Sequence, residues 1–363
     1  MGIALPDFAS RLALSFGKKE KLCVGLDIGS HAVKVCELAD TGKGYRLLSL
    51  GSARLPEGAV EDGALQDPEA VGTVIAALLK NLKIKEKKVG ISISGYSVIV
   101  KKINLSVMSQ EAMANHIQAE AEQYIPFDIE DVYLDFQNLN TNHQDEERTD
   151  VMLVAAKKEV VDGYLGMLRS LGLKPVLVDV DAFALENAYA ANFGLGENVA
   201  LIDIGASKMN INIISGGSSV FARDVVLGSR QLTEQIQSRF GVEPEEAEEL
   251  KIGIVSAGER KEQLTEILIG TCSQWVGEIR KALDFYYTNH PEEPLVKLVL
   301  SGGGARIRGL DQVLANELEL PVEIFNPFSK MQIDQARMDA DYLAYMAPEM
   351  TLAAGLASRP AEL

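Results

Sequence analysis

The sequence predicts an α/β protein made of two related halves, and three observations carry that expectation. The chain has 363 residues, too many for one ordinary core and suited to two domains of ~150 residues each. Short apolar runs alternate along it with amphipathic helical stretches, the rhythm of strands covered by helices. Finally, the stretch "CVGLDIGSHAVKVCEL", Cys23 to Leu38, has a twin in "NVALIDIGASKMNINII", Asn198 to Ile214. In both, an apolar run ends in Asp-Ile-Gly, a small polar residue follows, and a second alternating run begins almost at once.

The first twenty residues place Phe8, Leu12 and Phe16 at helical spacing before Gly17 and a basic patch, so a short amphipathic helix is expected there. It does not read as a signal peptide, because the charges follow the apolar part. Pro6 stands where a myristoylation signal needs Ser or Thr. Docking on its own protein, or staying mobile, is favoured over a membrane-surface anchor.

Strands are expected at about 22–28, 32–39 and 45–51, then a helix at 68–82 with Val71, Val74, Ile75, Leu78, Leu79 and Leu82 on one side. The strands "KVGISIS" and "SVIVKKINL" come next, then a helix from Gln110 to Tyr124 stopped by Pro126. The strands "DVYLDFQNL" and "DVMLVAA" follow, joined by the solvated loop "NTNHQDEER". A helix with Val161, Tyr164, Leu165 and Leu168 inward and Gly172 as its cap leads to the strand "PVLVDV". This order suggests a small module inserted in the first half. The second half opens with "NVALIDI", "KMNINIISGG" and "SVFARDVVLG", turns helical from Ser229 to His290, returns to strand and glycine turn at "KLVLSGGGA", and closes with a helix near "PEMTLAAGLAS".

Composition excludes several classes. With 47% apolar residues and no apolar run long enough to span a bilayer, the chain reads as soluble. A net charge of −17 opposes a nucleic-acid backbone, and no basic stripe overrides it. Cys23, Cys36 and Cys272 lack any ligand spacing and suggest a reducing cytoplasm. His31, His116, His143 and His290 are scattered, which argues against a histidine metal site.

The twin turns suit phosphate chemistry. Glycine after a strand-terminal aspartate, Gly29 and Gly205, lets the backbone turn so tightly that N–H groups gather inside it. Ser30 and Ser207 add hydroxyl donors. Asp27 and Asp203 would face the same phosphates from opposite sides, where carboxylates suit a Mg²⁺ ion that keeps most of its waters. One such turn alone reads as an ordinary hairpin; two in equivalent places reverse that reading. Gly302, Gly303 and Gly304 leave no side chain between backbone and ligand, so an adenine-ribose could lie there. Neither a dinucleotide fingerprint nor a P-loop is present.

The order of "GLDIGSHAVKV", "LVDVDAFALENAYA", "LIDIGASKMNI" and "LVLSGGGARIRGL" resembles the phosphate-1, connect-1, phosphate-2 and adenosine motifs of the actin, Hsp70 and FtsA superfamily. Within it, "AEAEQYIPFDIEDVYLDF", "DVMLVAAKKEVVDGYLGMLRSLGLKP", "VLGSRQLTEQI" and "EEAEELK" are similar to the PilM family of FtsA-like type IV pilus assembly proteins, from about Lys21 to the end. The resemblance implies a duplicated, actin-like two-lobed fold with ATP and Mg²⁺ in the cleft. Subdomain 1A would span 21–88 and 177–194, an inserted 1C 89–176, 2A 195–228 and 295–363, and a helical 2B 229–294, after the extension 1–20. Asp27, Gly29, Ser30 and Lys34 match phosphate-1, and Asp203, Gly205, Ala206 and Ser207 match phosphate-2. Gly302 to Gly304 match the adenosine motif, and Glu234 and Lys251 match positions that reach ribose and adenine. Lys251 reads nearly as well as a solvated partner of the preceding glutamates. In connect-1, Asp179 and Asp181 are the candidates to orient an attacking water; Asp181 is favoured, with helix capping as its alternative role.

The resemblance further implies a cytoplasmic ATP-binding scaffold with slow or absent hydrolysis. It would sit at the inner membrane through partners only, holding the PilN tail in a groove between 1A and 1C and linking it to the assembly motor and platform proteins, with self-association conceivable. The groove would be built from "SGYSVIVKKINL", with Lys101 and Lys102, and the helix from Gln110 to Tyr124. Two alternatives stand beside it: a working ATPase or sugar-kinase-like enzyme, and an FtsA-like filament former. The last would call for a C-terminal amphipathic membrane helix, whereas the sequence ends "LASRPAEL".

Overall fold

The computed structural model describes residues 21–139 and 147–361. The helix expected within residues 1–20, and most of the solvated loop "NTNHQDEER", lie outside the described residues.

The first half folds as β1 (Val24–Ile28), β2 (Ala32–Asp40), β3 (Tyr45–Arg54), a short ladder of β4 (Val60–Glu61) and β5 (Ala64–Leu65), α1 (Pro68–Asn81) and β6 (Lys88–Ile93). Then come β7 (Val98–Ser106), α2 (Gln110–Glu120), β8 (Val132–Asn138), β9 (Arg148–Lys157), α3 (Lys158–Ser170), β10 (Lys174–Val180) and α4 (Asp181–Phe193). The second half runs β11 (Val199–Ile204), β12 (Met209–Ser215), β13 (Ser218–Val225), α5 (Arg230–Phe240), α6 (Pro244–Ile252), α7 (Lys261–Asn289), β14 (Lys297–Ser301), α8 (Leu310–Leu318), β15 (Val322–Ile324), α9 (Ala340–Met346) and α10 (Thr351–Ala357).

The duplication is visible strand for strand. One sheet has the order β3-β2-β1-β6-β10 and the other β13-β12-β11-β14-β15. Directions agree as well: β1 is antiparallel to β2 and parallel to β6, as β11 is antiparallel to β12 and parallel to β14. The hairpin register also repeats, with Ile28 opposite Val33 and Ile204 opposite Met209. Each turn is closed by its glycine N–H, Gly29 to the Ala32 carbonyl at 3.1 Å and Gly205 to the Lys208 carbonyl at 2.9 Å.

Helices cover both sheets because their apolar residues recur at helical spacing. Helix α1 starts where the Asp67 side chain accepts from the Ala70 N–H ahead of Pro68, a cap worth about 1 kcal/mol. Its Val71, Ile75 and Leu78 meet Val161, Tyr164 and Leu168 of α3 over Leu26, Val89 and Ile91. On the second sheet, Ile202 and Ile211 pack with Leu232 of α5 and Trp275 and Ile279 of α7. Helices α4 and α10 lie between the halves, where Leu185, Tyr189 and Leu356 share one core with Cys23, Leu201 and Val299. This packing is very close: a Cβ on Gly355 would stand 1.8 Å from the Ala184 carbonyl oxygen, and one on Gly25 2.0 Å from that of Ala353.

The inserted module is narrower than the span 89–176. Strand β6 sits in the middle of the first sheet between β1 and β10, and α3 packs on that sheet. What remains is an antiparallel sheet, β7-β9-β8, with α2 laid on it through Met113 and Ile117 against Ile103, Leu105, Val151 and Leu153. All three cysteines are buried and unpaired, and burial pushes each thiol up. Among the described residues, no helix is long and apolar enough to cross a membrane.

Candidate functional site

The two glycine turns face each other across the cleft and touch. The Ser30 hydroxyl donates to the Ser207 Oγ at 2.9 Å, and Arg230 at the start of α5 donates to the Ser30 carbonyl at 3.1 Å. Helix α5 is itself fixed on the second turn, since the Ser229 and Arg230 N–H groups donate to the Gly205 and Ala206 carbonyls at 2.9 and 2.8 Å.

Asp27 ends β1 opposite Lys34 on β2, and their side chains pair at 3.0 Å. Burial raises the Asp27 carboxyl above its ordinary value although the Lys34 ammonium opposes it. Asp203 accepts from the Ser301 hydroxyl at 2.9 Å. Burial pushes its carboxyl up to about 7 against the Ser301 bond, with the nearby Asp27 charge adding to the rise. Two buried carboxylates opposed in this way are a place where positive charge is wanted. Among the described residues, no three ligating side chains gather into a ready metal cage.

Asp181 is the first residue of α4, and its carboxylate goes to Ser94 at 2.6 Å and Lys208 at 2.9 Å, making no capping bond to its helix. Burial alone would raise it, but Lys208 and its hydrogen bonds hold it below the ordinary range. Asp179 turns away from the cleft: it bonds its neighbour's N–H, Val180, at 2.9 Å and Asn187 at 3.3 Å. Of the two connect-1 candidates, only Asp181 reaches the second turn.

At the third glycine element the three residues differ. A Cβ on Gly302 would stand 2.4 Å from the Ile204 carbonyl oxygen, and one on Gly304 2.5 Å from the Ile204 Cγ2. These two glycines seat the turn on β11, and only Gly303 leaves open backbone, with the Arg306 Nη2 3.7 Å from where its Cβ would be. Lys251 is buried, paired with Glu248 at 2.6 Å and bonded to Thr233 at 3.0 Å, so it straps α6 to α5. Burial lowers its ammonium pKa despite that partner. Glu234 is exposed on α5, with no polar partner among the described residues. The site thus brings together Asp27, Gly29, Ser30, Lys34, Asp181, Asp203, Gly205, Ala206 and Ser207; Glu234 lies exposed on α5, and Lys251 on α6 reaches the Ser229 carbonyl at 3.4 Å, beside the second turn.

Sequence reasoning missed Lys208, Arg230 and Arg306. Arg306 pairs with Glu349 at 2.6 Å and lies 4.5 Å from the Tyr345 ring centroid, while its buried Nε has no partner. It also missed Asp224, whose carboxylate accepts from the Gly95 N–H at 2.5 Å and from Asn210 at 2.7 Å, tying β13 to the entrance of the module. Beside that entrance Tyr96 is 62% exposed. Lys157 lies 5.6 Å from its ring and 4.9 Å from the Phe127 ring, and Lys101 lies 5.7 Å from the Tyr124 ring.

A family model described as type IV pilus assembly protein PilM matches residues 25–361. Among solved structures, the chain is similar to one of a PilM–PilN type IV pilus biogenesis complex, at 29% identity and a TM-score of 0.83, covering 95% of this chain and all of that one. It shares its fold with the ethanolamine utilization protein EutJ from Carboxydothermus hydrogenoformans, at 15% identity and a TM-score of 0.53, covering 96% of this chain and 92% of that one. MreB5 of Spiroplasma citri, solved with ADP, is similar at 13% identity and a TM-score of 0.52, covering 92% and 94%.

Proposed function

The chain belongs to the family of type IV pilus assembly protein PilM, and on that premise we propose that it is a nucleotide-holding scaffold of pilus assembly that docks the cytoplasmic tail of PilN. The observation that carries this reading is the pair of opposed Asp-Ile-Gly turns, set on a fold that the chain shares over nearly its whole length with a PilM–PilN complex. Cytoplasmic placement beside the inner membrane, and a link to the motor and platform proteins, belong to the same reading.

The residues present fit ATP with Mg²⁺. Lys34 and Lys208 supply partly buried positive charge, Ser30 and Ser207 supply hydroxyls, and the partnerless Arg306 Nε supplies a donor near the Gly303 turn. Asp27 and Asp203 would hold the hydrated ion by its waters, which suits a metal that arrives with its nucleotide. When bound, the nucleotide supplies phosphate oxygens and a hydrated cation that neutralises the opposed carboxylates. Ser30 and Ser207, which bond each other across the cleft at 2.9 Å, would be the hydroxyl donors to its phosphate oxygens.

The same geometry argues against fast turnover. A general base needs a proton affinity near the working pH, and the ion pair to Lys208 keeps Asp181 well below it. The polar contacts that tie the two halves together instead suit a device whose lobe angle reports nucleotide. Calorimetry tests the site: ATP with Mg²⁺ is expected to bind, and Asp27→Ala to weaken binding at least about tenfold while the fold persists, since one lost charge contact to a buried partner is worth 1.4 kcal/mol or more. Unchanged affinity would overturn the assignment.

A further inference from the structure

Helix α4 carries a second acid into the core between the halves, one that has no part in the cleft. Glu186 is 6% exposed. It follows Ala184 and Leu185, which pack with Ile214 of β12 in the core shared by the two sheets. From β12 the Asn212 amide bonds the Glu186 carboxyl. The rest of that amide is committed, since its Nδ2 also donates to the Ala182 carbonyl at 2.8 Å and its Oδ1 accepts from the Ser219 hydroxyl at 2.6 Å. Glu186 is therefore served by a single N–H from the second lobe.

Charge around this group is unbalanced. Asp179 of β10, bonded to the adjacent Asn187 at 3.3 Å, acts on Glu186 with a like charge. Helix α10 brings no ionisable residue. The buried Arg359 beyond it acts on Asp179: its Nη1 stands 3.5 Å from the Asn187 Oδ1 and its Nη2 has no partner. Among the described residues, no lysine, arginine or histidine pairs with Glu186. A carboxyl withdrawn from water, with an acid for a neighbour and no cation, keeps its proton. Burial pushes Glu186 up to about 8, with the Asp179 charge adding to the rise and the Asn212 bond opposing it.

We propose that Glu186 is a proton-responsive joint between the two lobes: with its proton it seals the contact of α4 with β12, and without it that contact weakens. The unfolded chain releases this proton near 4.5 and the folded chain near 8, so between the two the fold holds a proton that the unfolded chain lacks. The joint therefore loses strength as pH rises across that window and loses no more above it. The same helix starts with Asp181, which reaches Lys208 of the second turn. A group outside the cleft thus sets, close to neutrality, how firmly the halves that form the cleft hold each other.

The test compares the full chain with Glu186→Gln, which keeps the shape of the neutral carboxyl and cannot ionise. In urea titrations from about pH 6 to about pH 8, the folding constant of the variant is expected to rise over that of the wild type by about tenfold per pH unit. Hydrogen exchange, corrected for its intrinsic pH dependence, should show α4 and β12 losing protection in the wild type as pH rises to about 8 and keeping it in the variant. Infrared spectra at neutral pH should show a protonated-carboxyl band in the wild type that is weaker in the variant. Parallel pH dependence of the two proteins, or equal carboxyl bands, would overturn the proposal. Should Glu186→Gln fail to fold, the wild type alone decides: protection of α4 and β12 that does not fall as pH rises would overturn it as well.

Discussion

Replacing Lys208 with Met removes the cation that joins the second glycine turn to the start of α4. The Lys208–Asp181 pair is 2.9 Å long, with the lysine side chain 28% exposed and the aspartate 8%. Breaking a buried pair costs about 3–5 kcal/mol when the surviving charge is uncompensated. Here Asp181 keeps its Ser94 hydrogen bond and the lysine was partly hydrated, so the expected loss near neutral pH is about 2–3 kcal/mol. The pH dependence has a definite sign. In the wild type the Asp181 carboxyl lies below its unfolded value, so its contribution is present above that value and is lost as pH falls through the folded one. In Lys208→Met, the Ser94 hydrogen bond is left to oppose burial without the ammonium charge, and the carboxyl is expected to rise above its unfolded value. Its ionised form then penalises the fold near neutrality, and the penalty is relieved on acidification. Urea titrations at about pH 7 and about pH 5 should therefore show the deficit of Lys208→Met shrinking at the lower pH. The double variant with Asp181→Asn should be more stable than the two single losses predict, by about 1 kcal/mol or more. A deficit under about 0.5 kcal/mol, or one that grows on acidification, would refute the reasoning.

Two further outcomes follow from the cleft. Gly304→Ala forces a Cβ to 2.5 Å from Ile204 and is expected to cost about 1–3 kcal/mol by overpacking, whereas Gly303→Ala should stay within about 0.5 kcal/mol; urea titration of both variants decides it. Single-turnover assays with labelled ATP should give hydrolysis far below the ~10 s⁻¹ of an ordinary enzyme, because Asp181 is held ionised by Lys208 and is a weak base.

The halves were legible in the sequence because Asp-Ile-Gly marks a strand end and a tight turn together, and the matching register of the two hairpins follows from that local chemistry. Lys34 is legible only through its match to the phosphate-1 motif. Its register counterpart in the second hairpin is Asn210, so comparing the copies position by position pointed away from Lys208, which reaches the cleft from the turn itself. Arg230 and Asp224 act on Ser30 and Gly95, partners far along the chain that no local pattern reveals. The module's limits were misread because "KVGISI" is a short apolar run whichever sheet it joins, and only pairing decides. The apolar face of α3 was plain, but that it meets Val71 and Ile75 is a fact of packing. The triple glycine reads in sequence as bare backbone for a ligand, and the close approach of Ile204, which requires glycine at Gly302 and Gly304, is visible only in the packing.

The central claim is that this chain is a scaffold that holds a PilN tail beside its inserted module. Calorimetric titration of a synthetic peptide of the PilN N-terminal cytoplasmic tail into the full chain tests it most directly, with Tyr96→Ala and Lys157→Glu as variants of the exposed aromatic and cationic surface at the module's entrance. The account predicts binding by the wild type and a loss of at least about tenfold in each variant, as for anchor residues at a peptide interface. No binding to the intact chain, or undiminished binding in both variants, would contradict it.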